Sequence, residues 1–214
     1  MYTQPDAPDK IDMKGIQMVR RDNCPLVKEV SGAVLNAIMY DKSTEAALAA
    51  ARSHVLALLT GQHAIDKFVV SKALRSDYKN TKQPHLCVAK KLAARRGHPV
   101  PSGTRVPYVY VVSEDPECPQ SEKAEDPAYA AEHDLALDAL FYLDHQVWSP
   151  VNALLEVVVP DPEQAVLGHE DVKPLLDALR TQHAAAVKVH KRLKKNAQNN
   201  QREITSFFAR RVPE

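Results

Sequence analysis

After Pro25, apolar residues recur at Leu26, Val27, Val30, Val34, Leu35 and Ile38. Steps of three and four put these side chains on one face of a helix, against a core. Asp41, Ser43 or Thr44 can cap a second helix over residues 44–60, with Leu48, Val55, Leu58 and Leu59 inward and Gly61 as its stop. The β-branched and aromatic run at 67–71 predicts a short strand, and 106–112 (VPYVYVV) predicts the strongest one. Between them Pro84 opens a basic helix, 85–96, that Gly97 closes. Residues 113–127 are acidic and proline-bearing and read as an exposed loop. A helical pattern returns at 138–158 with Leu140, Phe141, Leu143, Val147, Leu154 and Leu155 inward. Pro150 inside it predicts a kink or a break into two helices.

Residues 160–168 read as linker, and 170–195 as a helix with Leu175, Leu176, Leu179, Val187 and Leu193 inward. The cations ending that helix suit the negative pole of its dipole. Residues 1–12 read as extended chain, and the polar stretch 196–214 as a flexible tail. There is no internal repeat. The expected fold is mainly α with a few short β-strands.

With 214 residues, the chain can form one sizeable domain or two small ones. Only six residues are glycine, which argues against glycine-rich phosphate loops. No apolar run approaches the ~20 residues of a membrane span, and the polar first ten residues do not read as a signal peptide. Cys24, Cys87 and Cys118 are far apart and form no CxxC, so reduced thiols are expected rather than a disulfide framework or zinc site.

Net charge is only +1, yet the charge is segregated. Residues 67–96 hold nine Lys/Arg against Asp77, and residues 188–211 hold eight against Glu203. Residues 114–138 hold nine acids and one lysine, Lys123. That pattern suits a protein gripping a polyanion on one surface, or a set of solvated helix faces. The acid pairs Glu125/Asp126, Glu132/Asp134 and Glu170/Asp171 have no partner motif and read as solvated surface. The nine histidines lack metal-ligand spacing.

One stretch is distinctive: Asp9, Asp12, Lys14 and Gly15, then Val19, Arg20, Arg21, Asp22, Asn23, Cys24, Pro25, Leu26 and Val27. This order resembles the D-x-x-D-x-K-G and V-R-R-D-N-C-P-L-V patterns that join palm to thumb in delta-type, family B DNA polymerases of eukaryotes and viruses. Further landmarks keep that family's order. They are Val70 to Leu74 around Lys72, Gly103 to Val109 with Arg105 and Tyr108, and Ala124 to Pro127. Tyr142, Leu143, Gln146 and residues 150–156 follow. The resemblance covers roughly residues 1–157.

The family's two metal-binding palm motifs, its fingers lysine motif, its exonuclease signature and its cysteine-rich terminal modules have no counterpart here. The resemblance therefore implies polymerase kinship with no catalytic residue in this chain, which is expected to be inactive alone. It implies no cofactor bound by this chain, with magnesium ions (Mg2+) held in a palm that is elsewhere, since two-metal chemistry needs converging carboxylates. The palm and fingers would lie in a separate chain or in a portion continuous with this one.

A thumb holds primer–template duplex by its phosphates and reads no sequence. The resemblance points to Lys14, Arg20 and Arg21 as the first phosphate contacts, Lys72 and Arg75 as the second, and Arg105 and Tyr108 as the third. Arg20 and Arg21 can instead pair with Asp22 or Glu29, and the Tyr108 ring can instead pack in the core.

Near the end, Gln201, Ile204, Phe207 and Phe208 match the sliding-clamp motif Q-x-x-[ILM]-x-x-aromatic-aromatic. One helical turn puts Ile204, Phe207 and Phe208 on one face, ready for an apolar pocket on a PCNA-like clamp. The basic run 191–195 also fits a nuclear-import pattern.

The expected organisation is a palm-to-thumb segment at 1–24, a thumb-like domain at 25–158, a linker and basic helix at 159–195, and a flexible tail with the clamp peptide at 196–214. The expected partners are primer–template duplex and the clamp, with no membrane, in a nucleus or at a viral replication site. The other reading is a non-enzymatic adaptor, or a degenerate remnant, that binds DNA and the clamp.

Overall fold

The computed structural model describes the backbone of residues 2–3, 11–12, 23–113, 115 and 117–209, and the side chains of 23–113, 115 and 117–195. The fold is mainly helical, with one three-stranded sheet and a separate two-stranded pair. In that pair β1 (Tyr2–Thr3) runs antiparallel to β2 (Ile11–Asp12), with Tyr2 opposite Asp12.

Helix α1 (Pro25–Met39) starts on a proline, whose missing N–H costs nothing in a first turn. Its Leu26, Val27, Val30 and Val34 are fully buried, so the three-four spacing is its core face. Helix α2 (Thr44–Leu59) packs on α1, and Ser43 Oγ caps it by accepting the Ala46 N–H at 3.1 Å.

A 3-10 turn, Ile65–Phe68, then leads into β3 (Val70–Ala73). The strand expected at 67–71 thus begins three residues later, because Phe68 is turned into the core. Helix α3 (Pro84–Arg96) ends at Gly97, whose φ of +75° permits the left-handed cap. Strand β4 (Arg105–Tyr110) pairs antiparallel with β3, Val70 opposite Tyr108 and Ala73 opposite Arg105. On its other side β4 pairs with β5 (Ala124–Glu125).

Strand β5 lies inside the segment read as an exposed acidic loop, and Ser121, Lys123, Ala124 and Glu125 are all buried. Helix α4 (Pro127–Glu132) follows at once, capped by Asp126, which accepts the Tyr129 N–H at 3.2 Å. The Glu125/Asp126 pair is therefore not solvated surface: one acid is buried and the other is a cap.

Helix α5 (Ala139–Tyr142) passes through a π-helical turn, Leu143–Val147, into α6 (Trp148–Leu155). The interruption lies one turn before Pro150, whose ring crowds the carbonyl four residues earlier and whose missing N–H leaves it unbonded. The residues read as linker contain α7 (Pro162–Val166), with Val166 buried. The last helix, α8 (Lys173–Ala209), runs past the boundary expected at Asn196. Of its expected inner residues Leu176 is buried, whereas Leu175 is 39% and Leu193 58% exposed. Among the described side chains, the apolar anchoring of α8 is concentrated at its start.

Tyr142 lies at the centre of the core and is fully buried. Its hydroxyl donates to the Phe68 carbonyl at 3.0 Å and accepts the Tyr110 N–H at 2.9 Å. One phenol thus joins α5, β4 and the turn that feeds β3. Burial pushes the Tyr142 hydroxyl far above the ordinary tyrosine range, and the Tyr110 hydroxyl up to about 12. Cys24 is buried and its thiol is pushed up to about 11 by desolvation, which makes it an inert core residue.

Candidate nucleic-acid interface

The end of β3 and the loop running to α3 form an open, basic cavity of about 670 Å³. Lys72, Arg75 and Lys79 line it with Asn80, Gln83, Tyr78, His85 and one acid, Asp77. The pairing of β3 with β4 fixes where Lys72 stands, since Lys72 sits opposite Val106 in the register.

Beyond β3 the loop is held by a phenol. The Tyr78 hydroxyl accepts the Arg75 N–H at 2.7 Å and lies 2.9 Å from His85 Nε2. His85 is only 5% exposed, and its ring meets Tyr78 edge-on. Burial lowers its affinity for a proton, and the charges of Lys72 and Arg75 lower it further. At neutral pH a neutral imidazole therefore supports the loop from beneath.

The nine cations of residues 67–96 divide by role. Lys67 pairs with Glu29 at 2.5 Å on the surface. Arg95 grips both oxygens of Glu125, at 2.8 and 3.0 Å, and Lys91 reaches the same carboxylate at 3.2 Å. Lys91 also donates to the carbonyls of Glu122 and Ala124. The Arg95 guanidinium carbon sits 3.4 Å from the centre of the Tyr129 ring. Burial alone would raise the Glu125 carboxyl, but Arg95, the Asp126 N–H and Lys91 outweigh it and hold it below the ordinary range. These two cations staple β5 and α4 to α3. Among the described residues, the other six, Lys72, Arg75, Lys79, Lys82, Lys90 and Arg96, make no ion pair with an acid, and of these Lys72, Arg75 and Lys79 line the cavity.

The other sequence-predicted contacts fall in different places. Arg105 is exposed across the β3–β4 pair, donating to the Ser71 carbonyl at 2.7 Å and to Ser71 Oγ at 3.1–3.2 Å. Tyr108 is 3% exposed, with its ring edge-on to Tyr110, so it belongs to the core, the second role weighed for it from the sequence. Lys14, Arg20 and Arg21 lie outside the described residues, as do the side chains of Gln201, Ile204, Phe207 and Phe208. Sequence reading missed Tyr78 and His85. Their one sequence signal is position, within the basic stretch that brackets Pro84.

The profile of DNA polymerase family B matches residues 1–158. The chain belongs to that family. A DNA polymerase of Paramecium bursaria Chlorella virus NY2A is 41% identical over 211 residues, which is 98% of this chain and 23% of the viral protein. The DNA polymerase delta catalytic subunit of Dictyostelium discoideum is 37% identical over 163 residues, 76% of this chain and 15% of that subunit. The chain thus spans less than a quarter of the length of these relatives. The family B DNA polymerase of Pyrobaculum calidifontis superposes with a TM-score of 0.52 at 27% identity, over 64% of this chain and 18% of that one. The family profile stops where the resemblance was expected to stop. The viral relative carries the likeness on, through nearly the whole chain.

Proposed function

We propose that this chain is the thumb-side segment of a DNA-directed DNA polymerase, gripping primer–template duplex by its phosphates and tethering the enzyme to a ring-shaped clamp. The observation that carries this reading is the cavity of Lys72, Arg75 and Lys79, three cations without acidic partners among the described residues, held at the end of β3 and on the loop after it in a family B fold. Their chemistry suits the task. Lysine and arginine at phosphates give affinity on any sequence, which a translocating enzyme needs. Arg105, exposed on the adjoining strand, extends the surface, and Lys14, Arg20 and Arg21 would add to it from the palm side.

Nucleotidyl transfer is assigned to a palm outside these 214 residues. Among the described residues no three His, Cys, Asp or Glu side chains come together as a metal site requires, so they do not fit the two-metal centre of polymerase chemistry. The chain's contribution is to hold the product duplex and, through Gln201, Ile204, Phe207 and Phe208, to raise the concentration of enzyme near clamp-encircled DNA. The work would be done in a nucleus or at a viral replication site.

The test is direct binding of a fluorescent 30-base-pair duplex over a salt series, on two unrelated sequences. The account expects log K to fall linearly with log salt, with equal affinity for both sequences. No binding at low salt, or a preference for one sequence, contradicts it.

A further inference from the structure

The last helix carries a second cationic surface, and its cations divide by direction. His190 Nε2 lies 3.0 Å from an Asp115 oxygen, Lys194 Nζ lies 3.8 Å from Asp115 and 3.2 Å from Glu117, and Lys191 Nζ lies 3.7 Å from Glu117. These three residues face the acidic segment that follows β4. Lys188, Arg192 and Lys195 make no ion pair among the described residues, and all three are exposed. At 100° per residue they fall within an arc of about 60°, beside the loop-bound arc, over about 10 Å of helix. Toward the N-terminus the same face continues through exposed Ala185, Ala184 and Thr181, with Asp177 its one acid.

We propose that Lys188, Arg192 and Lys195 form a second duplex-binding surface, held at a fixed angle by the contacts of Asp115 and Glu117 with the adjoining side of α8. Charge complementarity selects the partner. Three cations without acid partners in one straight row match the dense, evenly spaced charge of a duplex backbone, one charge per ~1.7 Å of axis. The small residues beside the row leave room for the backbone to approach. A protein groove reading 191–195 as an extended basic peptide would need Lys191 and Lys194, both of which are tied to the loop.

The lysine contacts are ion pairs, individually weak, and His190 packs half-buried beside Asp115; together four contacts on two acids fix the rotation of the helix. The buried apolar anchoring ends near Leu179, the Arg180–Asp144 pair at 3.2 Å follows, and the Asp115 and Glu117 contacts hold the helix further along. The choice of ligand rests on the duplex-grip reading, whereas the surface itself is independent of the Lys72 cavity.

The test uses the full 214-residue chain, a 30-base-pair duplex and a salt series. Three variants are compared with the parent: K188A/R192A/K195A, K72A/R75A, and T181K, which adds a cation in line with Lys188. Alanine keeps the helix, and circular dichroism checks it. The triple variant should lose between two and three from the slope of log K against log salt, and T181K should gain about one. Unchanged slopes in the triple variant and T181K overturn the proposal. Loss in the triple variant with none in K72A/R75A keeps this surface and removes the cavity reading. Loss only in K72A/R75A does the reverse.

Discussion

The hydroxyl of Tyr78 lies 2.9 Å from Nε2 of His85. The phenol also accepts the Arg75 N–H, so a buried imidazole fixes the loop that carries Arg75 and Lys79. Tyr78→Phe removes both bonds and leaves the His85 nitrogen without its partner. Stability should fall by about 1–3 kcal/mol. Duplex affinity should drop a few-fold with an unchanged salt slope, because no phosphate-facing charge is lost. Denaturant titration and duplex binding over a salt series check the two halves. A changed slope would mean that Tyr78 does more than position the loop.

Glu125 is the acid on which α3, β5 and α4 converge. Glu125→Ala leaves Arg95 and Lys91 without a carboxylate, both of them about a third exposed and so partly rescued by water. The expected loss is about 2–3 kcal/mol by urea titration. A loss below ~0.5 kcal/mol would place the site with ordinary surface pairs.

Tyr142→Phe keeps the buried ring and removes only the hydroxyl. The Phe68 carbonyl and the Tyr110 N–H then lose their partner, at an expected cost of about 2–4 kcal/mol. Thermal and urea unfolding measure it. A neutral substitution would show that water or a local shift satisfies both groups.

Much of the fold was legible because it is local. The spacing in α1, the Ser43 cap, Pro84 with Gly97, and the strand at 106–112 each depend on neighbours within a turn or two. Glu125 was not legible, since the partner that turns it from surface acid to buried staple, Arg95, lies 30 residues away. Tyr142 joins positions 74 and 32 residues distant, which no periodicity encodes. Helix α7 is five residues long, too short to register a period, and its prolines read as linker. At the candidate interface motif order put Lys72, Arg75 and Arg105 forward. The support from Tyr78 and His85 was not, because two polar residues seven apart reveal nothing until the loop closes.

Stability should fall on acidification in two stages. His54 and His85 bind protons less readily when folded, chiefly through desolvation, so the unfolded chain takes up protons first. Their contribution is complete above the ordinary histidine value of about 6.5 and is lost as pH falls below it. Glu29, through its bond to Lys67, and Glu125 are held below the ordinary carboxylate range. Their contribution holds above about 4.3 and is lost as pH falls through the folded values. Urea midpoints between pH 4 and 8 test this, and stability that rises below pH 6.5 would contradict it.

At the tail, Phe207→Ala with Phe208→Ala should abolish binding to a PCNA-like clamp and leave duplex affinity unchanged. Surface plasmon resonance on immobilised clamp reads the first, and anisotropy the second. Retained clamp affinity would assign the tethering to other residues.

The most direct test of the central claim is the salt dependence of duplex binding by Lys72→Ala, Arg75→Ala. Each phosphate contact contributes about 0.9 to the slope of log K against log salt. The account predicts a slope smaller by about 1.8, alike on every duplex sequence. A slope equal to that of the parent chain would mean that this cavity does not hold the DNA.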